Sequence, residues 1–183
     1  MRDLIVTENI TLDGVIEAAE WFNVANAEGV DQSDINEALG AHMASSDAVL
    51  LGRVSFEQMR GYWPKQSDDT TGVTDHLNKA TKYVVSSTLD DPEWENTVIL
   101  RGIDELRAVQ DQPGKDIVAT GSIQLVHALS AADLVDEYRM FVYPVVRGAG
   151  KRLFADALEI PKLKLVETRP FDSGVVLLRY RRS

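Results

Sequence analysis

The chain has 183 residues and a formal net charge of -10, which disfavours nucleic acid and anionic membranes as partners. Its hydrophobic content of 44% with 26% charged residues is typical of a folded globular protein. It contains no cysteine, which excludes disulfides and thiolate chemistry and is compatible with the cytoplasm. We therefore expect a cytoplasmic protein that does not bind a membrane and folds as a single domain over residues 1–183.

The first part of the chain alternates predicted strands with predicted helices. Residues 4–12 alternate apolar and polar side chains, which predicts a strand that ends at the turn dipeptide Asp13-Gly14. A helix over residues 33–45, capped by Ser33, leads to a buried strand at residues 48–51. A short helix at 56–62 and a polar loop at 64–74 are expected to follow.

The rest of the chain contains six further predicted strands. They are expected at residues 82–86, 97–100, 116–119, 137–146, 163–168 and 175–180. Pro144 indicates an edge strand or a bulge, helices are predicted at 103–109 and 123–129, and the last two strands form an antiparallel hairpin. This order predicts a three-layer α/β fold with a mainly parallel central sheet and antiparallel C-terminal edge strands.

Three turns that follow predicted strands contain residue types suited to phosphate. They are Gly52-Arg53, with Ser55 as the expected cap of the next helix, then Ser86-Ser87-Thr88, and Gly121-Ser122. Ligands bind beyond the carboxyl ends of the strands in such sheets, so the three turns are expected at one edge. Glycine permits close backbone approach, helix N-termini offer amides, and an arginine adds a charged fork. Ordinary capping explains any one turn alone, but their convergence favours an anion site.

Six motifs that follow one another along the chain carry a resemblance to a known family. They are Thr11-Leu12-Asp13-Gly14, Gly52-Arg53-Val54-Ser55-Phe56-Glu57, Tyr83-Val84-Val85-Ser86-Ser87-Thr88-Leu89, Gly121-Ser122-Ile123-Gln124-Leu125, Leu134-Val135-Asp136-Glu137, and residues 144–154 with Gly148 and Gly150. In this order they resemble the dihydrofolate reductase superfamily, and more closely its branch similar to the reductase domain of bifunctional riboflavin-biosynthesis deaminase/reductases.

The resemblance implies NADPH as hydride donor, a small-molecule substrate and a homodimer formed through the terminal sheet region. It implies that the adenosine phosphates contact Gly52, Arg53, Val54 and Ser55, and that the adenine ribose lies beside Ser86, Ser87 and Thr88. The pyrophosphate would be held by Gly121, Ser122, Ile123, Gln124 and Leu125. Thr11 and the turn after it would lie beside the nicotinamide.

Asp13 is the candidate catalytic residue. Hydride transfer needs the two reactants held face to face and a source of protons, and Asp13 would hydrogen-bond the substrate or orient a water. The alternative is that Asp13 only forms the Asp-Gly turn. His42, His76 and His127 lack a paired ligand spacing, so we predict no metal site.

Two departures from the family pattern leave the substrate open. Ala119 stands two places before Gly121, where the riboflavin-pathway reductases commonly have an acidic residue, and the helix at 33–45 has no arginine for a ribose phosphate. Dihydrofolate would need a carboxylate on that helix, for which Asp34 and Glu37 are candidates. The predicted function is an NADPH-dependent oxidoreductase that transfers a hydride to a small heterocyclic substrate. The alternatives are the phosphoribosylaminouracil reductase of riboflavin biosynthesis, a dihydrofolate reductase, and a nucleotide-binding protein without efficient catalysis.

Overall fold

The computed structural model describes residues 1–17, 31–154, 159–160 and 162–183, and its centre is an eight-stranded sheet. The strands are β1 (Leu4–Thr11), β2 (Ser46–Gly52), β3 (Thr81–Val85), β4 (Thr97–Leu100), β5 (Asp116–Thr120), β6 (Glu137–Tyr143), β7 (Leu163–Pro170) and β8 (Val176–Arg182). The α-helices are α1 (Ser33–Ala44), α2 (Arg53–Tyr62), α3 (Val73–Lys79), α4 (Leu106–Gln110) and α5 (Ile123–Ala131), with 3₁₀ turns at Trp63–Lys65 and Ile103–Glu105.

The strands lie in the order β4-β3-β2-β5-β1-β6-β8-β7. The first six are parallel, and β8 is antiparallel to both of its neighbours, β6 and β7. Each of the eight predicted strands is therefore present, and the predicted mainly parallel α/β sheet with an antiparallel C-terminal edge is confirmed.

Helices on both faces bury the central strands. The side chains of β2 from Ala48 to Leu51 are all buried, as expected for an interior parallel strand. One face packs against α5 through Leu125 and Leu129. The other face packs against α1 through Ile35 and against α2 through Phe56, which gives the three predicted layers.

Some predicted element ends are wrong for local reasons. Ser33 does not cap α1, because it is the first residue of the helix and Gln32 occupies the N-cap position without a side-chain cap bond. Pro144 marks no edge strand or bulge, since β6 ends at Tyr143 and lies between β1 and β8. Helix α3 was not predicted, and it follows Gly72, whose φ of 78° is left-handed.

A buried charge cluster joins β6 and β8. Glu137 is the first residue of β6 and is only 1% exposed. Its Oε1 accepts hydrogen bonds from Arg139 Nε at 2.6 Å and Arg179 Nε at 2.8 Å. Burial by itself raises the pKa of Glu137, but the hydrogen bonds from Arg179 and Arg139 outweigh it and hold the pKa below its ordinary value. The carboxylate is therefore ionised inside the protein.

In the described part of the chain, no helix has the length and apolar character needed to cross a bilayer.

Candidate active site

The sheet order brings the three predicted phosphate turns to one edge. Strands β3, β2, β5 and β1 are consecutive neighbours and parallel, so their carboxyl ends meet. The turns after β2 and β5 touch directly, since Gly52 N donates to Ser122 Oγ at 2.9 Å. Ser122 N in turn donates to Ser55 Oγ at 3.0 Å. We call the carboxyl ends of these four strands, with the turns that follow them, the active-site edge.

The serines at the active-site edge connect two helices. Helix α2 begins at Arg53 immediately after the strand, with Gly52 at its N-cap, so the prediction that Ser55 caps this helix is wrong. Ser122 does precede α5, but its hydroxyl accepts the N–H of Gly52 and makes no cap bond to its own helix. The two hydroxyls therefore fix the N-termini of α2 and α5 against each other.

The backbone amides of Gly121 and Ser122, in the turn before α5, donate hydrogen bonds to other groups of the protein. Gly121 and Ser122 are both left-handed, with φ of 59° and 53°. The Gly121 N–H donates to the Glu8 carboxyl and the Ser122 N–H donates to Ser55. The first turn of a helix leaves its own amides without intrahelical partners. The amides that suit a phosphate are therefore those of Arg53, Val54 and Ser55 in α2 and of Ile123, Gln124 and Leu125 in α5.

Side chains at the two helix starts differ in exposure. Leu125 is buried and Ile123 packs against the same core, so these two residues offer a ligand their backbone. Arg53 is 45% exposed, and its Nη1 lies 3.0 Å from Glu57 Oε2 one turn later. An exposed i,i+4 pair contributes only about 0.3–0.5 kcal/mol, so it competes weakly with a phosphate for the guanidinium.

The third turn is shaped by Ser86. Its buried hydroxyl accepts the N–H groups of Thr88 at 3.2 Å and Leu89 at 2.9 Å, while Ser87 and Thr88 themselves are exposed. Arg101, which directly follows β4, donates from Nη1 to the carbonyl oxygens of Ser86 and Leu89. We did not predict Arg101, although an arginine immediately after a strand is the same signal that identified Arg53.

Asp13 is held by hydrogen bonds at the end of β1. Its Oδ1 accepts from the buried Thr11 hydroxyl at 2.6 Å and from Arg147 N at 3.1 Å, and its Oδ2 accepts from Gly148 N at 2.8 Å. These bonds, that from Thr11 first, lower the pKa of Asp13 far below its ordinary value. An acid this strong is ionised at neutral pH and is a poor proton source. The contacts favour the turn-forming alternative, and a catalytic role for Asp13 stays a prediction.

Glu8 is a buried acid that sequence reasoning missed. It lies on β1 three residues before Thr11 and is 6% exposed. Burial raises the pKa of Glu8 well above its ordinary value, against the opposing hydrogen bond from Gly121 N–H. Its Oε1 has no hydrogen-bond partner among the described residues. The sequence signal that could have identified Glu8 was its position between Val6 and Ile10, on the buried side of an alternating strand.

The substrate alternatives depend on Asp34, Glu37 and Ala119. Asp34 Oδ2 accepts from Asp172 N at 2.9 Å, and Glu37 Oε2 accepts from Arg169 Nη2 at 2.9 Å. Both carboxylates therefore connect α1 to the β7–β8 hairpin. Ala119 is 1% exposed in β5 and forms part of the core.

A Ser122→Ala substitution is expected to lower the free energy of unfolding by about 1 kcal/mol, because Gly52 N loses its acceptor. Urea unfolding at pH 7 measures the effect. Ser87→Ala is the matched control, since Ser87 is exposed and its change should stay within about 0.5 kcal/mol. Equal effects of the two substitutions would contradict the assigned hydrogen bond.

Two solved structures are similar to this fold along almost the whole chain. A putative riboflavin biosynthesis protein from Shewanella sp. PV-4 superposes with a TM-score of 0.70 at 16% identity and covers 99% of both chains. Dihydrofolate reductase from Enterococcus faecalis, solved as a complex with NADP(H), superposes with a TM-score of 0.65 at 15% identity, covering 99% of this chain and 96% of the other. These structures define the fold as that of dihydrofolate reductase.

The sequence comparison is more specific. The family model described as "RibD C-terminal domain" matches residues 2–177, and the chain belongs to this family. The protein YyaP of Bacillus subtilis (strain 168), itself described as uncharacterized, is 35% identical over 184 residues, covering 98% of this chain and 94% of YyaP. The resemblance drawn from the six motifs is thereby confirmed, and the chain is of the RibD and dihydrofolate reductase type.

Proposed function

We propose that the protein is an NADPH-dependent oxidoreductase that transfers a hydride to a small heterocyclic substrate. The observation that supports it most is the junction of α2 and α5 at the active-site edge, made by Gly52 N and Ser122 Oγ at 2.9 Å. Two helix N-termini fixed side by side present a double row of amides, and such ends favour phosphate groups. A dinucleotide contains two linked phosphate groups, which suit two adjacent helix N-termini.

The residues of the active-site edge fit NADPH in chemical type. Arg53 supplies a charged fork beside the amides of α2, which suits the extra phosphate that distinguishes NADPH from NADH. When bound, NADPH supplies the hydride. The protein would contribute orientation, through the turn that Asp13 and Thr11 close at the end of β1.

The substrate is proposed only as a class. The engagement of Asp34 and Glu37 with the β7–β8 hairpin argues against a pterin carboxylate on α1, so dihydrofolate is the weaker alternative. Ala119 stands where the riboflavin-pathway reductases commonly have an acidic residue, which argues against the intermediate of that pathway as substrate. The homodimer expected from the family belongs to the same proposal. It is supported by the edge position of β7, where Leu165 and Val166 are 49% and 46% exposed.

Titration of the protein with NADPH and with NADH, followed by nicotinamide fluorescence, tests the cofactor assignment. We expect saturable binding that is tighter for NADPH. Arg53→Ala should weaken NADPH about 10- to 100-fold and NADH much less, because a charge-assisted hydrogen bond contributes about 1.5–3 kcal/mol.

Arg60→Ala is the matched control, since Arg60 stands in the last turn of the same helix and pairs with Glu93. It should leave both affinities unchanged. Absence of saturable binding by either nucleotide would overturn the cofactor assignment. Tight NADPH binding with only background oxidation across pterins, pyrimidine ribosyl phosphates, flavins and quinones would instead favour a nucleotide-binding protein without efficient catalysis.

A further inference from the structure

A cavity of about 230 Å³ lies between α1 and the strands β6, β8 and β7. Its polar lining comes from His42, Ser45, Arg139, Glu167, Arg169 and Arg179. Helix α1 carries the chain back to the amino end of β2, and the cavity lies along the last turn of that helix. It is therefore separate from the active-site edge, which is formed by the carboxyl ends of the strands.

Two buried nitrogen atoms of cavity-lining residues have no hydrogen-bond partner among the described residues. They are Nη1 of Arg139 and Nδ1 of His42. The Arg139 side chain is only 4% exposed, and its Nε is already bound to Glu137. Buried polar nitrogens of this kind are nearly always paired in folded proteins, and an unpaired charged donor such as Arg139 Nη1 is costly. The unpaired guanidinium points to a ligand that accepts hydrogen bonds, and His42 Nδ1 can donate to the same ligand in one of its two tautomers.

Charge in the cavity favours an anion. Arg139, Arg169 and Arg179 line it together with one carboxylate, Glu167. Outside the lining, Glu137 pairs with Arg139 and Arg179, and Glu37 pairs with Arg169. Burial lowers the pKa of His42 to about 4, and the next causes are the positive charges of Arg139 and Arg179, which exceed the opposing effects of Glu167 and Glu137. The imidazole is therefore neutral at pH 7, and the two arginines act on it more strongly than the two carboxylates do.

We propose that this cavity binds a phosphate-type oxyanion, held by Arg139 Nη1 and by His42 Nδ1–H, with Arg179 and Arg169 beside them. Guanidinium groups match the oxygens of a phosphate through fixed parallel donors. In the tautomer that carries its proton on Nδ1, neutral His42 adds a further donor. The proposal does not depend on the reductase function, because the cavity shares no residue with the active-site edge.

Calorimetric titration with inorganic phosphate and with ribose 5-phosphate tests the proposal. Both should bind saturably to the wild-type protein, and Arg139→Gln should weaken them about 10- to 100-fold through the loss of a charge-assisted hydrogen bond. Tighter binding of ribose 5-phosphate would assign the site to a phosphate ester, and tighter or equal binding of inorganic phosphate would assign it to the free ion. Failure of both to bind would overturn the proposal.

Arg181→Gln is the matched control. Arg181 also faces Glu137, with Nη1 3.8 Å from Oε2, but it does not line the cavity. Its loss disturbs the same buried carboxylate without removing a proposed ligand, so phosphate affinity should be unchanged. An equal loss of affinity in Arg181→Gln and Arg139→Gln would show a general effect of the charge cluster and would contradict the site.

A second measurement uses the wild-type protein and does not require the Arg139→Gln variant to fold. The pKa of His42 in the wild-type protein can be followed by NMR, with His42→Gln identifying its signal among the three histidines. An anion beside the imidazole offsets the charges of Arg139 and Arg179, so saturating phosphate should raise this pKa from about 4. An unchanged His42 pKa at saturating phosphate would place the anion elsewhere and overturn the proposal.

Discussion

A Glu137→Gln substitution is expected to lower the free energy of unfolding by about 3–5 kcal/mol at pH 7. The reason is the geometry of the buried cluster, in which one carboxylate oxygen accepts from both Arg139 and Arg179. Glutamine preserves the shape but leaves the 4% exposed Arg139 without a neutralising charge. Removing one partner of a buried ion pair costs more than the pair contributes, because the other charge stays desolvated. Urea unfolding measures the loss.

Glu167→Gln provides the control. Glu167 also accepts from Arg179, at 2.7 Å, but its side chain is 35% exposed. Solvent screens this pair, so the loss should be about 1 kcal/mol or less. Equal losses from the two substitutions would contradict the assigned importance of the buried cluster.

The wild-type protein and Glu137→Gln should respond differently to pH. The pKa of Glu137 is lowered in the folded state, so its stabilising effect is complete above the ordinary value of 4.5 and is lost as the pH falls through the folded-state pKa. The stability difference between wild type and Glu137→Gln should therefore narrow on acidification below pH 4.5. A difference that stays constant on acidification would show that the charge of Glu137 is not its source.

Gly121→Val is expected to weaken NADPH about 100-fold or more, equivalent to about 2.7 kcal/mol. Gly121 has φ of 59°, and β-branched residues are genuine outliers in that region. A Cβ at this position would lie 3.6 Å from Ser55 Oγ, an ordinary contact distance, so the strain comes from the left-handed backbone. Relief of the strain would turn the start of α5 away from α2 and separate the two rows of amides. Fluorescence titration with NADPH measures the affinity.

Gly61→Val is the matched control for this experiment. Gly61 lies in α2, a Cβ added to it would meet no atom within 4 Å, and its φ is not left-handed. Valine is no worse than glycine in a helix, so stability and NADPH affinity should both be retained. Retention of wild-type affinity in Gly121→Val would show that the left-handed turn does not position the cofactor.

The fold was largely predictable because hydrophobic periodicity and turn residues determine it locally. Strands such as residues 97–100 were predicted with the ends that the structure has. Helix α3 was missed because the polar run before it continues into its first residues. The helix also begins after Gly72, whose left-handed backbone conformation cannot be read from the sequence. The capping roles of Ser33 and Ser55 were wrong because each helix begins before the serine could cap it, with Gln32 and Gly52 at the N-cap positions.

The candidate site was predictable in its composition but not in its hydrogen bonds. The turns at Gly52 and Gly121 were placed together correctly, since parallel strands leave their carboxyl ends at one edge. The exact strand order was not derivable, so the capture of the Gly121 amide by Glu8 remained hidden. The pairing of Glu137 with Arg179 likewise depends on β8 lying beside β6, two elements separated by more than 30 residues of sequence.

The position of β5 between β1 and β2 affects the order in which the protein folds during synthesis. Strands β1 and β2 do not pair with each other, and both use β5 as their common neighbour. A ribosome must therefore release residues 116–120 before the middle of the sheet can close. The contact of Gly52 with Ser122 spans 70 positions and comes later still. Under the proposed function, nucleotide affinity during synthesis would report the insertion of β5 between β1 and β2, since shorter nascent chains lack the amides of α5.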